Sequence, residues 1–264
     1  MAVFFVAWSL VYLLPLDWQS WAFAENAWST LFNNFLANIS HLTNNFYYVL
    51  MNGTMDHLWF IPSLISCMVI SAVFAAKNKW VGLFILSLVL YLIGLMGKAY
   101  SVTPWGLNID FNFRNGPFFG LVFFVSGCLL QRRGINKNWF GIGLILFFAG
   151  AATHFFEVNL ILKIWGGTLM QDFVFGTYFF GLGAAIIALS NPPWLRISWA
   201  PKIAELVFGV YAIHILILLQ IRYFGRNYNG IVWWDIGFTL AVVALSFLFS
   251  YYLYRHRKLR FMVN

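Results

Sequence analysis

Eight nearly uninterrupted apolar runs, at residues 1–16, 57–76, 80–97, 117–131, 139–156, 171–190, 203–223 and 232–254, constrain this chain more than any other feature. A helix needs roughly 20 apolar residues, each rising about 1.5 Å, to cross about 30 Å of hydrocarbon. Six of the runs meet that length closely; those at 1–16 and 117–131 are short. Composition points the same way. The chain is 62% apolar and 9% charged, against roughly 25% charged in an average soluble domain, so it has too little polar surface to cover a globule in water. Its 30 Phe, 13 Trp and 12 Tyr suit a lipid-facing surface with interfacial belts. The prediction is an all-α polytopic membrane helix bundle of about eight transmembrane helices, read as one domain over 1–264. Internal glycines such as Gly141, Gly143, Gly181 and Gly183 fit this reading, because small residues let membrane helices approach closely.

The net charge of +8 does not mark a nucleic-acid partner. The cations stand in short clusters between apolar runs, as membrane topology requires. Placing the tail Arg255, Arg257, Lys258 and Arg260 inside also puts Lys77, Lys79, Arg132, Arg133, Lys137, Arg196 and Lys202 inside. Lys98, Arg114, Lys163, Arg222 and Arg226 are then outside. The longest connection, 17–56, has no Lys or Arg and carries only Asp17, Glu25 and Asp56 as charges; it belongs outside, with the C-terminus cytoplasmic. Apolar positions at helical spacing from 28 to 36 predict a helix there, lying in the outer interface or packed on the bundle. Cys67 and Cys128 sit within apolar runs and read as small buried hydrophobes, not as a disulfide or a metal site. Met1 opens straight into Ala2-Val3-Phe4-Phe5. No positive segment precedes it, as a signal peptide would require, so a chain lacking its natural N-terminus explains this start better.

Ionisable groups at membrane depth are costly and are functional-site candidates by default. His57 opens a run at its outer boundary, where a histidine can act as base, donor or proton relay. An interfacial residue at a helix start, with Asp56 beside it helping as an N-cap, fits the spacing somewhat better. His214 lies mid-run; Glu205, nine residues before it and about 13.5 Å away along one helix, cannot touch it. Each therefore needs its own partner. His154 and Glu157 share one helical face, and with only two ligands in view an ordinary hydrogen bond suits them better than a metal. Arg114, before Asn115-Gly116-Pro117, can bind an anion or snorkel to headgroups. There is no Gly-x-Ser-x-Gly elbow, His-Glu-x-x-His motif or phosphate-binding loop. From the residues alone, enzyme, transporter and scaffold all stay open.

His57-Leu58-Trp59-Phe60-Ile61-Pro62 resembles a His-Leu-Trp-Phe hallmark of the membrane O-acyltransferases of acyltransferase family 3. Three further stretches resemble that family in order and spacing: Trp8-Ser9-Leu10-Val11-Tyr12; Gly116-Pro117-Phe118-Phe119 leading to Phe123-Phe124-Val125-Ser126-Gly127; and Phe208-Gly209-Val210-Tyr211-Ala212-Ile213-His214. The resemblance covers essentially the whole chain and implies a ten-helix domain lacking its first two helices. It also implies transfer of an acetyl or similar acyl group from acyl-CoA, as cosubstrate, to a hydroxyl of a surface or lipid-linked glycan. No bound cofactor or metal is implied, and the location is a bacterial inner membrane. His57, Arg114 and His214 are implied in supporting roles, with Trp59, Phe118 and Tyr211 in substrate binding. The principal histidine and an arginine are implied in the two preceding helices, so these 264 residues alone are expected to turn over little. A non-catalytic membrane partner protein or a small-solute transporter is the alternative, although the paired repeats expected of a transporter are not seen.

Overall fold

The computed structural model describes residues 1–195, 198–225, 228 and 230–263, and Arg196 and Arg226 of the charge pattern lie outside the described residues. Among the described residues twelve α-helices follow one another: α1 Ala2–Val11, α2 Gln19–Ala22, α3 Ala27–Asn44, α4 Phe46–Asn52, α5 Phe60–Ala76, α6 Trp80–Gly97, α7 Pro117–Arg133, α8 Phe140–Trp165, α9 Phe175–Ser190, α10 Ala200–Ala204, α11 Val207–Gly225 and α12 Val232–Arg255. No strand occurs among the described residues. Each of the eight apolar runs is represented by one principal helix, which makes this the all-α membrane bundle that composition requires. Five helical segments among the described residues are long and apolar enough to cross a bilayer: Asp56–Ala76, Trp80–Gly97, Lys137–Trp165, Val207–Phe224 and Val232–Arg255. α1, α7 and α9, of 10, 17 and 16 residues, are shorter.

Several boundaries differ from the prediction, each for a local reason. α1 stops before 16 because the N–H groups of Leu13 and Leu14 fall back on carbonyls three residues earlier, and Pro15 then offers no donor. The run 203–223 is broken at Glu205–Leu206, so Glu205 closes the short α10 and does not share a helix with His214. Its partner is the Tyr254 hydroxyl at 2.5 Å. α8 continues to Trp165, nine residues past the predicted end at 156. It can do so because the Glu157 carboxylate is satisfied where it stands, by the Tyr100 hydroxyl and, at 2.6 Å, by the Gly176 N–H.

The chain forms two compact units, Met1–Pro62 with Ile197–Asn264, and Ser63–Arg196. In the first, α1 runs parallel to α11. Phe4 meets Phe208 (6.1 Å between rings), Tyr12 meets Ala212, the Gln220 amide donates to the Leu16 carbonyl at 2.8 Å, and Asp17 pairs with Arg222. The tail folds back onto this pair: the Trp8 indole N–H donates to the Met262 carbonyl at 2.9 Å, and Val263 is fully buried. α3 starts on Asn26, whose side chain accepts the Ser29 N–H, an N-cap by chemistry and by place. One face of α3 holds the protein, Asn34 donating to the Ser20 hydroxyl and Asn38 to the Leu13 carbonyl. The other presents Trp28, Phe32 and Leu36 at i, i+4 and i+8, exposed by 82, 57 and 47%. The helix expected over 28–36 is therefore present, with one face packed on the protein and the other exposed.

In the second unit Cys67, Leu83, Leu121 and Val125 form one core cluster and Tyr91, Leu95, Val122 and Phe173 another. α8 and α9 pack antiparallel with their backbones almost touching. A Cβ added at Gly150 would stand 2.2 Å from the Phe180 nitrogen, and one at Gly183 2.3 Å from the Phe147 nitrogen. Of the glycines singled out in the sequence, Gly143 and Gly183 serve this seam, Gly181 faces the Phe123 ring, and Gly141 meets nothing within 4 Å. Charged side chains group by helix end. Arg132 lies 4.5 Å over the Trp80 ring, whereas Lys98 and Arg114 both pair with Asp172, at 2.7 and 3.5 Å.

Candidate active site

The first unit brings together residues that the sequence separates by some 155 positions. Gly53, at φ +76°, turns the chain out of α4; a Cβ there would meet that of Leu58 at 2.7 Å, so the turn requires glycine. The chain then enters a tight 3-10 turn, Asp56–Trp59, seated by the fully buried Leu58 and Ile61. The Thr54 hydroxyl ties the turn to the Ser9 carbonyl of α1 at 2.6 Å. Asp56 does not cap this turn. It accepts the Tyr48 hydroxyl at 2.7 Å, and the N-cap is Met55.

The half-buried His57 ring is thereby held against α11. Its Nε2–H donates to the Ala212 carbonyl at 3.2 Å, and the Tyr211 hydroxyl donates to the main-chain carbonyl of His57. His214 stands edge-on to His57 with ring centres 5.3 Å apart. Its Nδ1–H donates to the Tyr211 carbonyl at 2.6 Å. A main-chain carbonyl can only accept, so each bond fixes a tautomer. His57 is left with a bare Nδ1 and His214 with a bare Nε2 when both rings are neutral. The His57 Nδ1 is buried and has no hydrogen-bond partner among the described residues. A desolvated lone pair is costly unless something donates to it, and a hydroxyl is the donor such a nitrogen suits.

Tyr12, which the sequence reading took only as part of an aromatic run, closes the group. Its ring meets His57 edge-on at 5.0 Å, and its hydroxyl donates to the same Ala212 carbonyl at 2.6 Å. Tyr12 also walls a cavity of about 410 Å³ that includes Asp17, Ser20, Asn34, Asn38 and Thr54, within the ligand-pocket range of about 300–1,000 Å³. The available clue was chemical: a tyrosine inside an apolar helix needs a partner for its hydroxyl.

The remaining candidates have separate surroundings. Trp59 packs edge-on to Phe60, ring centres 6.0 Å apart. Arg114 belongs to the second unit, where it is paired with Asp172. Phe118 sits there in an aromatic cluster with Phe111 and Phe113, at 5.6 and 5.1 Å. His154 and Glu157 do not bond each other; they serve the start of α9, His154 Nδ1 lying 2.9 Å from the Thr177 hydroxyl and Glu157 taking the Gly176 N–H. An anion is favoured at that helix end.

A family model described as "Acyltransferase domain" matches residues 1–255. An "Amino-acid racemase" of Enterococcus faecalis is 31% identical over 128 residues, covering 42% of this chain and 18% of that relative. The chain therefore spans less than a fifth of the length of this curated relative. No solved structure matches the chain.

Proposed function

The chain belongs to acyltransferase family 3, the domain matched across residues 1–255, and from that membership we propose that it moves an acetyl or similar small acyl group from acyl-CoA to a hydroxyl of a surface or lipid-linked glycan. The observation that supports a hydroxyl acceptor is the bare, buried Nδ1 of His57. An alcohol is a poor nucleophile at neutral pH. A nitrogen that accepts its proton, or orients it by hydrogen bonding, strengthens attack on the thioester carbonyl. CoA then leaves as the thiol and the acyl group ends as an oxygen ester. His214, edge-on to His57, and Tyr211, holding the His57 carbonyl, brace this ring. Trp59, near the ring in sequence, contributes apolar contact to substrate. The protein acts in a bacterial inner membrane with its C-terminus cytoplasmic. The parallel course of α1 and α11 agrees with the span count, in which the first and seventh spans run in the same direction, and the cation-rich tail supports the cytoplasmic side.

The test is transfer of radiolabelled acetyl from acetyl-CoA to carbohydrate acceptors in nanodiscs. It is run on the 264-residue chain and on the chain joined to two preceding helices carrying a histidine, as the family resemblance implies. We expect ester-linked label with the extended protein. Label in neither case would overturn the proposal. Robust turnover by the 264 residues alone would put the principal base among them, with His57 as the first suspect.

A further inference from the structure

We infer that Tyr12 is a positioning residue for the His57 imidazole, acting through the Ala212 carbonyl that both side chains share. In an α-helix the N–H of residue 216 is directed at the carbonyl of residue 212. Here the Tyr12 hydroxyl bonds to both ends of that rung. It accepts the Leu216 N–H at 3.1 Å and donates to the Ala212 carbonyl at 2.6 Å. The Ala212 oxygen accepts from two side chains, Tyr12 at 2.6 Å and His57 Nε2–H at 3.2 Å. Tyr12 is only 3% exposed, so water does not compete for these bonds. Its ring, edge-on to His57 with planes at 81° and centres 5.0 Å apart, also blocks the imidazole from turning.

Two effects follow for the bonded ring. The Tyr12 hydroxyl, bonded to the Leu216 N–H and the Ala212 carbonyl, draws that carbonyl towards the α1 flank, which aims it at His57. The carbonyl in turn demands a proton on Nε2, which keeps the lone pair on Nδ1, the nitrogen that no residue fills. The hydroxyl of Tyr12 thus selects which imidazole nitrogen is basic, without touching substrate. The same hydroxyl binds α1 to α11 by two hydrogen bonds within apolar surroundings.

The inference rests on the proposed part of His57 in transfer, but its first test does not. In the 264-residue chain in nanodiscs, labelled with ring-¹⁵N histidine and assigned by His→Gln variants, His57 should show one tautomer, with a protonated Nε2 and a bare Nδ1. Tyr12→Phe keeps the ring and removes only the hydroxyl; the His57 signals should then become those of a mixture of tautomers. Tyr91→Phe is the control. It deletes an equally buried hydroxyl, which donates to the Val174 carbonyl at 2.7 Å in the second unit, and should leave His57 unchanged. A single unaltered tautomer in Tyr12→Phe, or equal disturbance in Tyr91→Phe, would overturn the inference. In the extended protein, Tyr12→Phe should lower kcat about tenfold with little change in the KM for acetyl-CoA. An altered tautomer with unchanged kcat would leave the geometry standing and remove His57 from the reaction, which separates this inference from the reading it rests on.

Discussion

His57 and His154 are both half-buried histidines bonded through one ring nitrogen, yet their surroundings assign them different work. His57 keeps a buried nitrogen with no donor among the described residues; His154 is bonded to Thr177 at the start of α9. In the extended protein His57→Ala should therefore slow transfer 10- to 100-fold, about 1.4–2.7 kcal/mol of barrier, while His154→Ala should alter thermal stability more than rate. Equal losses of kcat in the two variants would count against a special part for His57. At this scale the sequence was half legible. The motifs supplied His57 and His214 as candidates, but not that they meet, because only the turn forced by Gly53 and the register of α11 bring the rings within 5.3 Å. Asp56 was misassigned as an N-cap for the same reason, and Glu205 was rightly denied His214 but given no partner. Their true partners, Tyr48 and Tyr254, are tertiary contacts that no spacing rule contains.

Among the elements, α8 and α9 give the sharpest tests. Gly150→Ala forces a Cβ onto the Phe180 backbone, whereas Gly141→Ala meets nothing within 4 Å. Thermal unfolding should show a loss of about 1–3 kcal/mol for the first and no loss for the second, where alanine is the better helix former. A similar Tm for both variants would mean the helices separate readily. Tyr100, beside this pair, adds a pH dependence. Burial first, and then its hydrogen bond to Glu157, holds its phenol above the ordinary value near 10. The folded chain keeps this proton where the unfolded chain loses it. The stabilisation is thus complete below pH 10 and lost as pH rises through the raised value. Tyr100→Phe should flatten the fall in stability above pH 10; an unchanged slope would show that the phenol does not contribute. The eight apolar runs were legible because hydropathy alone demands them. The ends of α1, α8 and α11 were not, since they depend on Pro15, on a satisfied Glu157 and on the break at Glu205–Leu206.

For the whole molecule, charge placement and helix register make one topology prediction. A reporter fused after residue 264 should be active only in the cytoplasm, and one inserted near residue 45, beyond the end of α3, only outside. The reverse pair would overturn the eight-span reading. The positive loops were readable because lysine and arginine sort by side. The division into two units was not, since the first is built from both ends of the chain, joined through Trp8 to Met262 and Tyr12 to Ala212.

That joining of ends has a consequence for biogenesis. Tyr12 and His57 enter the membrane early, but the carbonyl both require is made much later, 155 residues after His57. At roughly 5–20 residues per second of synthesis, the interval from His57 alone is about 8–30 s. Throughout that time the Tyr12 hydroxyl and the His57 Nε2–H must be satisfied by lipid headgroups, water or an insertion factor. Ribosome stalling between α5 and α11 should therefore prolong the exposure of α1 to quality-control proteases, and stalling after α11 should not.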